Sequence, residues 1–126
     1  MKTIAQQLCI KEFPFIINDS NNNRIYYENS NGYWSKYEFD PNNNEISYEN
    51  SIGFWIKQEF DSNNNRIYYE NSNGYWVKRE FDLNNNEIYF EDSYGHVTDN
   101  RPKQIPEYTI EQLQKMLGKE FKIVKG

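Results

Sequence analysis

Apolar and polar residues follow a pattern that repeats every 21 positions between residues 18 and 102. Each unit holds two short runs rich in Ile, Tyr, Phe and Trp, separated alternately by an Asn-rich turn and by a turn that ends in Gly. Short runs of this kind between turn residues are typical of β-hairpins rather than of helices. The residues that keep the step include Ile25, Ile46, Ile67 and Ile88; Glu28, Glu49, Glu70 and Glu91; Gly32, Gly53, Gly74 and Gly95; and Trp34, Trp55 and Trp76.

The Gly turns set the pairing of the two strands within each hairpin. A two-residue loop would mix apolar and charged side chains on one face, because Ile25 would face Glu38. A three-residue Ser-Asn-Gly loop, with Gly32 in the left-handed region, keeps like residues together. We therefore expect the pairs Ile25 with Tyr37, Tyr27 with Ser35, and Tyr26 with Lys36.

The Asn turns reverse the chain between hairpins. Asparagine adopts left-handed backbone conformations more readily than other non-glycine residues and bonds to its own backbone, which suits Asn42, Asn43 and Asn44 to a tight turn. The same parity argument predicts cross-strand lysine–glutamate pairs that set the register. The expected pairs are Phe39 with Ile46, Tyr37 with Tyr48, Lys36 with Glu49, Lys57 with Glu70, and Lys78 with Glu91.

The flanking segments complete the prediction of one domain spanning residues 1–126. Residues 1–17 contain an additional strand at 13–17, where Pro14 suits only a sheet edge. Residues 18–102 form four hairpin repeats, the last of which is irregular. Residues 103–126 contain a short helix, with a capping box from Thr109 to Gln112 and Gly118 at its end, and a final strand at 121–124. The predicted fold is mainly β, an antiparallel meander of roughly eight strands in the repeats.

The predicted helix is too small to cover the predicted sheet. Eight residues of helix are about 12 Å long, whereas eight strands about 4.8 Å apart form a sheet nearly 40 Å wide. Either the sheet curls on itself, or its aromatic surface contacts a second copy or a partner. We take this mismatch as the main indication of function.

Charge and composition exclude several classes of protein. Residues 18–92 contain 14 acidic and 6 basic residues, so phosphate backbones would be repelled and a basic protein surface is the expected partner. The single Cys9 excludes a disulfide scaffold and favours a reducing compartment such as the cytoplasm. The first residues do not resemble a secretory signal, and no apolar run is long enough to span a membrane.

Candidate chemistry is sparse. The Asp-x-Asn-x-Asn motifs match the first half of a calcium loop, but from Asp40 the sixth and twelfth positions are Glu45 and Ser51 instead of Gly and Glu. We interpret these motifs as turns. His96, the only histidine, is expected in a surface turn, and the carboxylates are spread rather than gathered. The sequence thus predicts no catalytic residues, no metal site and no cofactor.

The tryptophans form the one row that predicts a binding site. Because equivalent strands lie two apart, the indoles would recur about every 9.5 Å along one face. One interpretation is purely structural: the tryptophans only cover the second face of the sheet and fix its register. The functional interpretation is an aromatic strip rimmed by carboxylates that binds a basic protein through cation–π and charge contacts. The residues of this strip are Trp34, Trp55, Trp76, Tyr26, Tyr68, Tyr89, Glu28, Glu49 and Glu70.

Three functions remain open at this point. The first is a non-enzymatic protein-binding module, for example an inhibitor that occupies the basic groove of a nucleic-acid-handling protein. The second is a carbohydrate or small-cation binder that uses the indoles for stacking. The third is a structural repeat that assembles through its face or edges, including a homodimer.

The unit D-x-N-N-N-[RE]-I-x-[YF]-E, preceded by Phe39, Phe60 and Phe81, resembles the YD repeat of rearrangement-hotspot and teneurin proteins. In this resemblance the phenylalanines stand for the family's Tyr, Asn44 and its equivalents for Gly, and Ile46 and its equivalents for Leu. It implies a hairpin-repeat fold, but four repeats are too few for the family's enclosing shell. The serial aromatic hairpins also resemble choline-binding repeats. The Asn-rich texture is similar to products of AT-rich phages or mobile elements, which implies the cytoplasm of a bacterial or phage-infected cell.

Overall fold

The computed structural model describes residues 1–103 and 107–118. Its nine strands form one antiparallel sheet in which spatial order equals chain order, so the predicted mainly β meander is confirmed. The sheet is open, with β1 and β9 as its edges. The strands are β1 Phe15–Asn18, β2 Arg24–Glu28, β3 Trp34–Phe39, β4 Glu45–Asn50, β5 Trp55–Phe60, β6 Arg66–Asn71, β7 Trp76–Phe81, β8 Glu87–Asp92 and β9 Val97–Asp99.

Two short helices flank the sheet. The predicted helix is α2, Ile110–Leu117, which has the expected capping box between Thr109 and Gln112 and ends at a left-handed Gly118. A second helix, α1 at Ile4–Gln7, was not predicted, although Thr3 and Gln6 form the same kind of capping box. The predicted final strand at 121–124 lies outside the described residues. Among the residues described, no helix is both long and apolar enough to cross a membrane.

The strand registers confirm most of the expected pairs. Tyr26 lies opposite Lys36 and Tyr27 opposite Ser35, as a three-residue Gly turn requires. Across the Asn turn, Tyr37 lies opposite Tyr48. The pairs Lys36 with Glu49, Lys57 with Glu70, and Lys78 with Glu91 are also present.

One predicted pair is wrong. Phe39 lies opposite Glu45, not Ile46, because the register shifts between Glu38 and Phe39. The same shift recurs at Phe60 and at Phe81, so each Asn turn is followed by a bulge that leaves one Ile unpaired. A bulge changes which face the following side chains occupy, and parity alone does not reveal it.

Each asparagine of the Asn turn has its own role. In the turn after β3, Asp40 Oδ1 accepts the backbone N–H groups of Asn42 and Asn44, both at 2.9 Å. Asn43 adopts the left-handed conformation, with φ of 64°. The Asn44 side-chain amide donates to Asp40 Oδ2 at 3.1 Å and to Asn64 Oδ1, in the next Asn turn, at 2.8 Å. The triplet therefore closes one turn and joins it to the next.

The Gly turns are joined to their neighbours in a similar way. Ser51 donates its backbone N–H to the carbonyl of Trp34, and its Oγ accepts the Trp34 N–H at 3.1 Å. Ser72 makes the same contacts with Trp55, and Ser93 with Trp76. Side chains thus continue the backbone ladder along both rims of the sheet.

The sheet is a single layer with very little core. In the described part of the chain only Ala5, Tyr26 and Val77 are buried hydrophobic residues. No residue of α2 is buried. The prediction that most of the aromatic surface stays uncovered within one chain is therefore consistent with this fold.

The two sheet faces differ in chemistry. The face we call the Trp face carries the three tryptophans with Lys36, Lys57 and Lys78 and most of the glutamates. The opposite face, the Tyr face, carries half-buried aromatic residues that contact one another edge to face, such as Tyr37 and Tyr48 with ring centroids 5.2 Å apart. Its other aromatic residues include Tyr27, Tyr33, Phe54, Tyr69, Tyr75 and Phe90.

Candidate functional site

Residues of the Trp face form rows that run across five strands. One row is Glu38, Ser47, Lys57, Glu70 and Trp76, from β3 to β7. The next row is Glu59, Tyr68, Lys78, Glu91 and Val97, from β5 to β9. Each row places a carboxylate at one end, an ammonium group in the middle and an apolar side chain at the other end. The face is acidic, because each row contains two glutamates and one lysine.

Each indole carries a lysine from its own strand. The Nζ atoms of Lys36, Lys57 and Lys78 lie 4.9, 5.2 and 5.2 Å from the ring centroids of Trp34, Trp55 and Trp76. These distances fall within the range of a cation–π contact, worth about 0.5–1 kcal/mol at exposed sites. The indoles of the predicted strip are therefore already in contact with cations of the same chain.

This placement corrects the expectation that the lysines pair with the facing glutamates. Lys36 lies opposite Glu49 and Lys57 opposite Glu70, but within the parts of the chain described here neither lysine forms an ion pair. The lysine side chains extend along their own strands to the rings instead of across to the carboxylates. The carboxylates of Glu49 and Glu70 consequently remain open to other cations.

Three repeats hold a tyrosine–glutamate pair on the Trp face. The hydroxyl of Tyr26 donates to Glu28 Oε1 at 2.8 Å. Tyr68 donates to Glu70 Oε2 at 3.0 Å, and Tyr89 donates to Glu91 Oε2 at 2.8 Å. Burial and the hydrogen bond to the carboxylate raise the pKa of Tyr68, and for Tyr89 the hydrogen bond is the larger cause. We call these the Tyr–Glu pairs of repeats one, three and four.

The pair of the first repeat is covered by the N-terminal segment. The Thr3 hydroxyl donates to Glu28 Oε2 at 2.7 Å, and the Ala5 backbone N–H donates to Glu28 Oε1 at 3.2 Å. Ala5 is fully buried, and Tyr26 and Glu28 are 3% and 2% exposed. Although both belong to the predicted strip, Tyr26 and Glu28 thus face their own chain and not the solvent.

The covered pair has perturbed acid–base properties. Burial, followed by the hydrogen bond to Glu28, raises the pKa of Tyr26 to about 12. Burial alone would raise the pKa of Glu28, but hydrogen bonds from Thr3, Tyr26 and Ala5 together outweigh it, so this pKa is lowered. The carboxylate is therefore charged and fully satisfied beneath α1.

The second repeat lacks the pair because Ser47 stands where the other repeats have tyrosine. The smaller side chain lies in a concavity of about 630 Å³, lined by Glu38, Ile46, Lys57, Phe60 and Glu70 among others. Ile46 is the residue left unpaired by the bulge, and it contributes to this concavity. This substitution was not considered in the prediction from sequence, although Ser47 departs from the tyrosine of the other repeats.

The structure assembles six of the nine predicted strip residues on an uncovered surface: Trp34, Trp55, Trp76, Tyr68, Glu49 and Glu70. Tyr89 also lies on this face, beneath the Arg101 guanidinium, whose Cζ is 4.2 Å from its ring centroid. The contribution of the lysines was missed, although the Trp-x-Lys spacing of two along a strand places both side chains on one face. That spacing was the available signal.

The turn motifs and His96 are engaged in local structure. Asp61 Oδ1 accepts the N–H groups of Asn63 and Asn65, and these bonds lower the pKa of Asp61, that to Asn65 having the larger effect. His96 is exposed and its Nδ1 lies 2.9 Å from Asp92 Oδ2. In residues 1–103 and 107–118 no group of three or more His, Cys, Asp or Glu side chains is placed to hold a metal ion.

Comparison with known proteins gives no family assignment. No protein-family model matches the chain, and no curated protein matches it. The tandem antiparallel hairpins are therefore established by the fold itself.

Proposed function

We propose that this protein is a non-enzymatic protein-binding module that engages a partner with a basic surface through its Trp face. One observation carries the proposal: the Trp face is acidic, aromatic and, beyond the first repeat, uncovered in the described chain. Large exposed aromatic surfaces in soluble proteins are typical of interaction sites. Acidic surfaces add long-range attraction to basic partners and speed association with them.

The carboxylates, rather than the indoles alone, supply the recognition of cations. Because Lys57 lies over Trp55, Glu70 has no ion pair in the described residues and is oriented by the Tyr68 hydroxyl. A hydroxyl bond to one oxygen leaves the remaining lone pairs available to an arginine or lysine of the partner. The lysine-covered indoles then contribute flat apolar area around these contacts.

The finer form of the proposal is an inhibitor that occupies the basic groove of a nucleic-acid-handling protein. Such grooves concentrate positive potential, which attracts an acidic surface. The uncharged aromatic rings of that surface do not oppose this attraction. The cytoplasm of a bacterial or phage-infected cell is the setting that fits this proposal. Descent from a YD-type hairpin repeat is likewise proposed, on the Phe-Asp and Asn-x-Ile positions of the repeat.

The test compares binding of an Arg-rich synthetic peptide at about 50 and about 500 mM salt, where screening differs strongly. We expect affinity to fall steeply with salt and to fall further in the double variant Glu70→Gln/Glu91→Gln. The matched comparison is Glu91→Gln alone against Glu87→Gln, which makes the same single charge change on β8 but at a residue paired with Arg79 on the Tyr face, 2.8 Å away. Equal loss of affinity in Glu91→Gln and Glu87→Gln, or salt-independent binding, would contradict the proposal.

A second candidate function, self-assembly, is favoured by the Tyr face. This face joins aromatic rings such as Tyr75 and Tyr94, whose centroids are 5.4 Å apart, and Tyr94 is 74% exposed. Arg79 and Glu87 neutralise each other there, so a second copy would meet little charge. Sedimentation at increasing concentration distinguishes this function, because a binding module that acts as a monomer shows no change in mass.

A further inference from the structure

The first repeat already shows what a Tyr–Glu pair binds. The start of α1 presents the Thr3 hydroxyl and the Ala5 N–H to the two oxygens of Glu28. Thr3 also caps its own helix by accepting the Gln6 N–H at 3.2 Å. The small Ala5 lets the helix backbone approach the sheet and is fully buried there. The bound element is thus a helical first turn with a hydroxyl cap and a small residue two positions later.

Repeats three and four present the same pair without a helix above it in the described chain, although in repeat four the Arg101 guanidinium stacks on the ring of Tyr89. Tyr68 and Glu70, like Tyr89 and Glu91, lie two apart on one strand with the hydroxyl bonded to the carboxylate. All four side chains are half-buried rather than buried. The covered pair and the other two pairs therefore differ in what lies over them and not in the Tyr–Glu hydrogen bond itself.

We propose that the Tyr68–Glu70 and Tyr89–Glu91 pairs are docking sites for a partner helix whose first turn begins with Ser or Thr, followed two positions later by Ala or Gly. The inference rests on the proposed function and names the partner's contact chemistry. The helix start contributes backbone N–H groups and the positive end of its dipole to an acidic face, which favours a carboxylate at that position.

The surroundings of the open pairs determine the middle residue of this partner turn. Beside the first pair, Ile17 lies opposite Tyr26, and Ile4 lines the same cavity. Beside the third and fourth pairs, the residues opposite tyrosine are Glu59 and Glu80. Glu80 already pairs with Arg101 at 3.2 Å, so in repeat four a basic residue of the partner would take the place of Arg101. A basic residue therefore replaces isoleucine between the hydroxyl cap and the small residue, giving Ser/Thr-Lys/Arg-Ala/Gly.

The helix α2 of the same chain does not fit these sites, although it begins with the related sequence Thr-Ile-Glu-Gln. Glu111 stands where α1 has Ala5. At the docked position this side chain would be both too large for the contact and of the same charge as the receiving carboxylate. The sites therefore select against α2 by sterics and by charge.

The experiment uses the full-length protein, labelled with ¹⁵N, and a synthetic peptide of residues 1–12 carrying Ile4→Lys and Cys9→Ser. We expect the peptide to shift the amide signals of residues 68–70 and 89–91. The variant Glu70→Gln should weaken binding at its own site about tenfold, as expected when a charged acceptor becomes neutral, and leave the other site unchanged. Tyr68→Phe, which keeps the ring, should weaken the same site less.

Two matched controls are built into the chain and the peptide. Glu49→Gln makes the same change in the repeat where Ser47 replaces tyrosine, and it should leave the peptide shifts unchanged. A peptide that also carries Ala5→Glu should not bind. Shifts spread over the whole Trp face, or equal binding of both peptides, would overturn the inference. If the Arg-rich peptide binds while the helical peptide does not, the docking sites are refuted and the proposed function stands.

Discussion

The side-chain amide of Asn44 donates to the Oδ1 atom of Asn64 at 2.8 Å, although the two residues belong to successive Asn turns. The same bond joins Asn23 to Asn43 at 2.8 Å and Asn65 to Asn85 at 2.9 Å. This ladder of side chains runs along one rim of the sheet. It ties neighbouring repeats together in a chain whose described residues include only three buried hydrophobic side chains.

The ladder predicts that Asn64→Gly is destabilising. Glycine keeps the left-handed conformation of residue 64, where φ is 65°, but removes the acceptor for Asn44. The matched control is Asn22→Gly, since Asn22 has nearly the same φ of 62° and its side chain accepts no bond in the described residues. We expect chemical denaturation to show Asn64→Gly less stable than the control by about 0.5–1.5 kcal/mol, the net value of one hydrogen bond. Equal stabilities would show that the ladder contributes nothing.

The turn aspartates predict loss of stability in acid. Backbone hydrogen bonds lower the pKa of Asp19, Asp40, Asp61 and Asp82 below 3.8 in the folded protein, with the N–H of the third asparagine as the largest cause. A carboxyl group whose folded pKa is depressed stabilises the fold above its unfolded pKa. Stability should therefore be constant above about pH 5 and fall as the pH drops below about 4.

Thermal melts between pH 2 and pH 7 would check this dependence, and Asp61→Asn should flatten it. Glu45 acts in the opposite direction, since burial raises its pKa. A melting temperature that is unchanged down to pH 2 would contradict the role assigned to the turn carboxylates.

The lysine over each indole predicts an energetic coupling along the strand. A double-mutant cycle between Trp55→Leu and Lys57→Met should give a coupling of about 0.5–1 kcal/mol, the value of an exposed cation–π contact. The comparison cycle combines Lys57→Met with Glu70→Gln, which lie opposite each other without an ion pair in the described chain. Its coupling should be close to zero. A larger coupling in the second cycle would assign Lys57 to the carboxylate rather than to the ring.

The concavity at Ser47 predicts that Ser47→Tyr is tolerated and stabilising. A tyrosine there restores the side chain of the other repeats and occupies part of the concavity of about 630 Å³, and its hydroxyl reaches the position of Glu49 as Tyr68 reaches Glu70. We expect a gain of about 1 kcal/mol from buried aromatic area, measured as a higher melting temperature. Ser51→Tyr, on the exposed Gly rim, is the control and should be destabilising because Ser51 Oγ accepts the Trp34 N–H.

The sequence pattern was sufficient for the strands and turns because both are local. Left-handed Gly32 and Asn43, and the pairs Tyr26 with Lys36 and Tyr37 with Tyr48, follow from turn chemistry and alternation. The bulge at Phe39 was missed because the alternation of side chains along one strand does not show where its pairing with the next strand shifts by one residue.

The candidate site was predicted less completely than the fold. The burial of Glu28 depends on a contact between residues 25 apart in the chain, Thr3 and Glu28, which no repeat pattern encodes. The choice of Lys57 between a ring on its own strand and a carboxylate on the next strand depends on side-chain geometry. The burial of Glu28 and the contact made by Lys57 each depend on which of several possible neighbours a side chain contacts. The strands and turns, in contrast, are determined by residues close together in the chain.

The bonds that join the rims make each repeat dependent only on its immediate neighbours. If residues 40–60 were excised, Asp61 would follow Phe39 as Asp40 does now. Excision or duplication of one 21-residue unit should therefore preserve the strand registers on either side. The length of the sheet and the number of Tyr–Glu pairs then change together, since each added unit that keeps its tyrosine brings one more pair. Under the proposed function, the length of the contact with a partner would then depend on the number of 21-residue units in the chain.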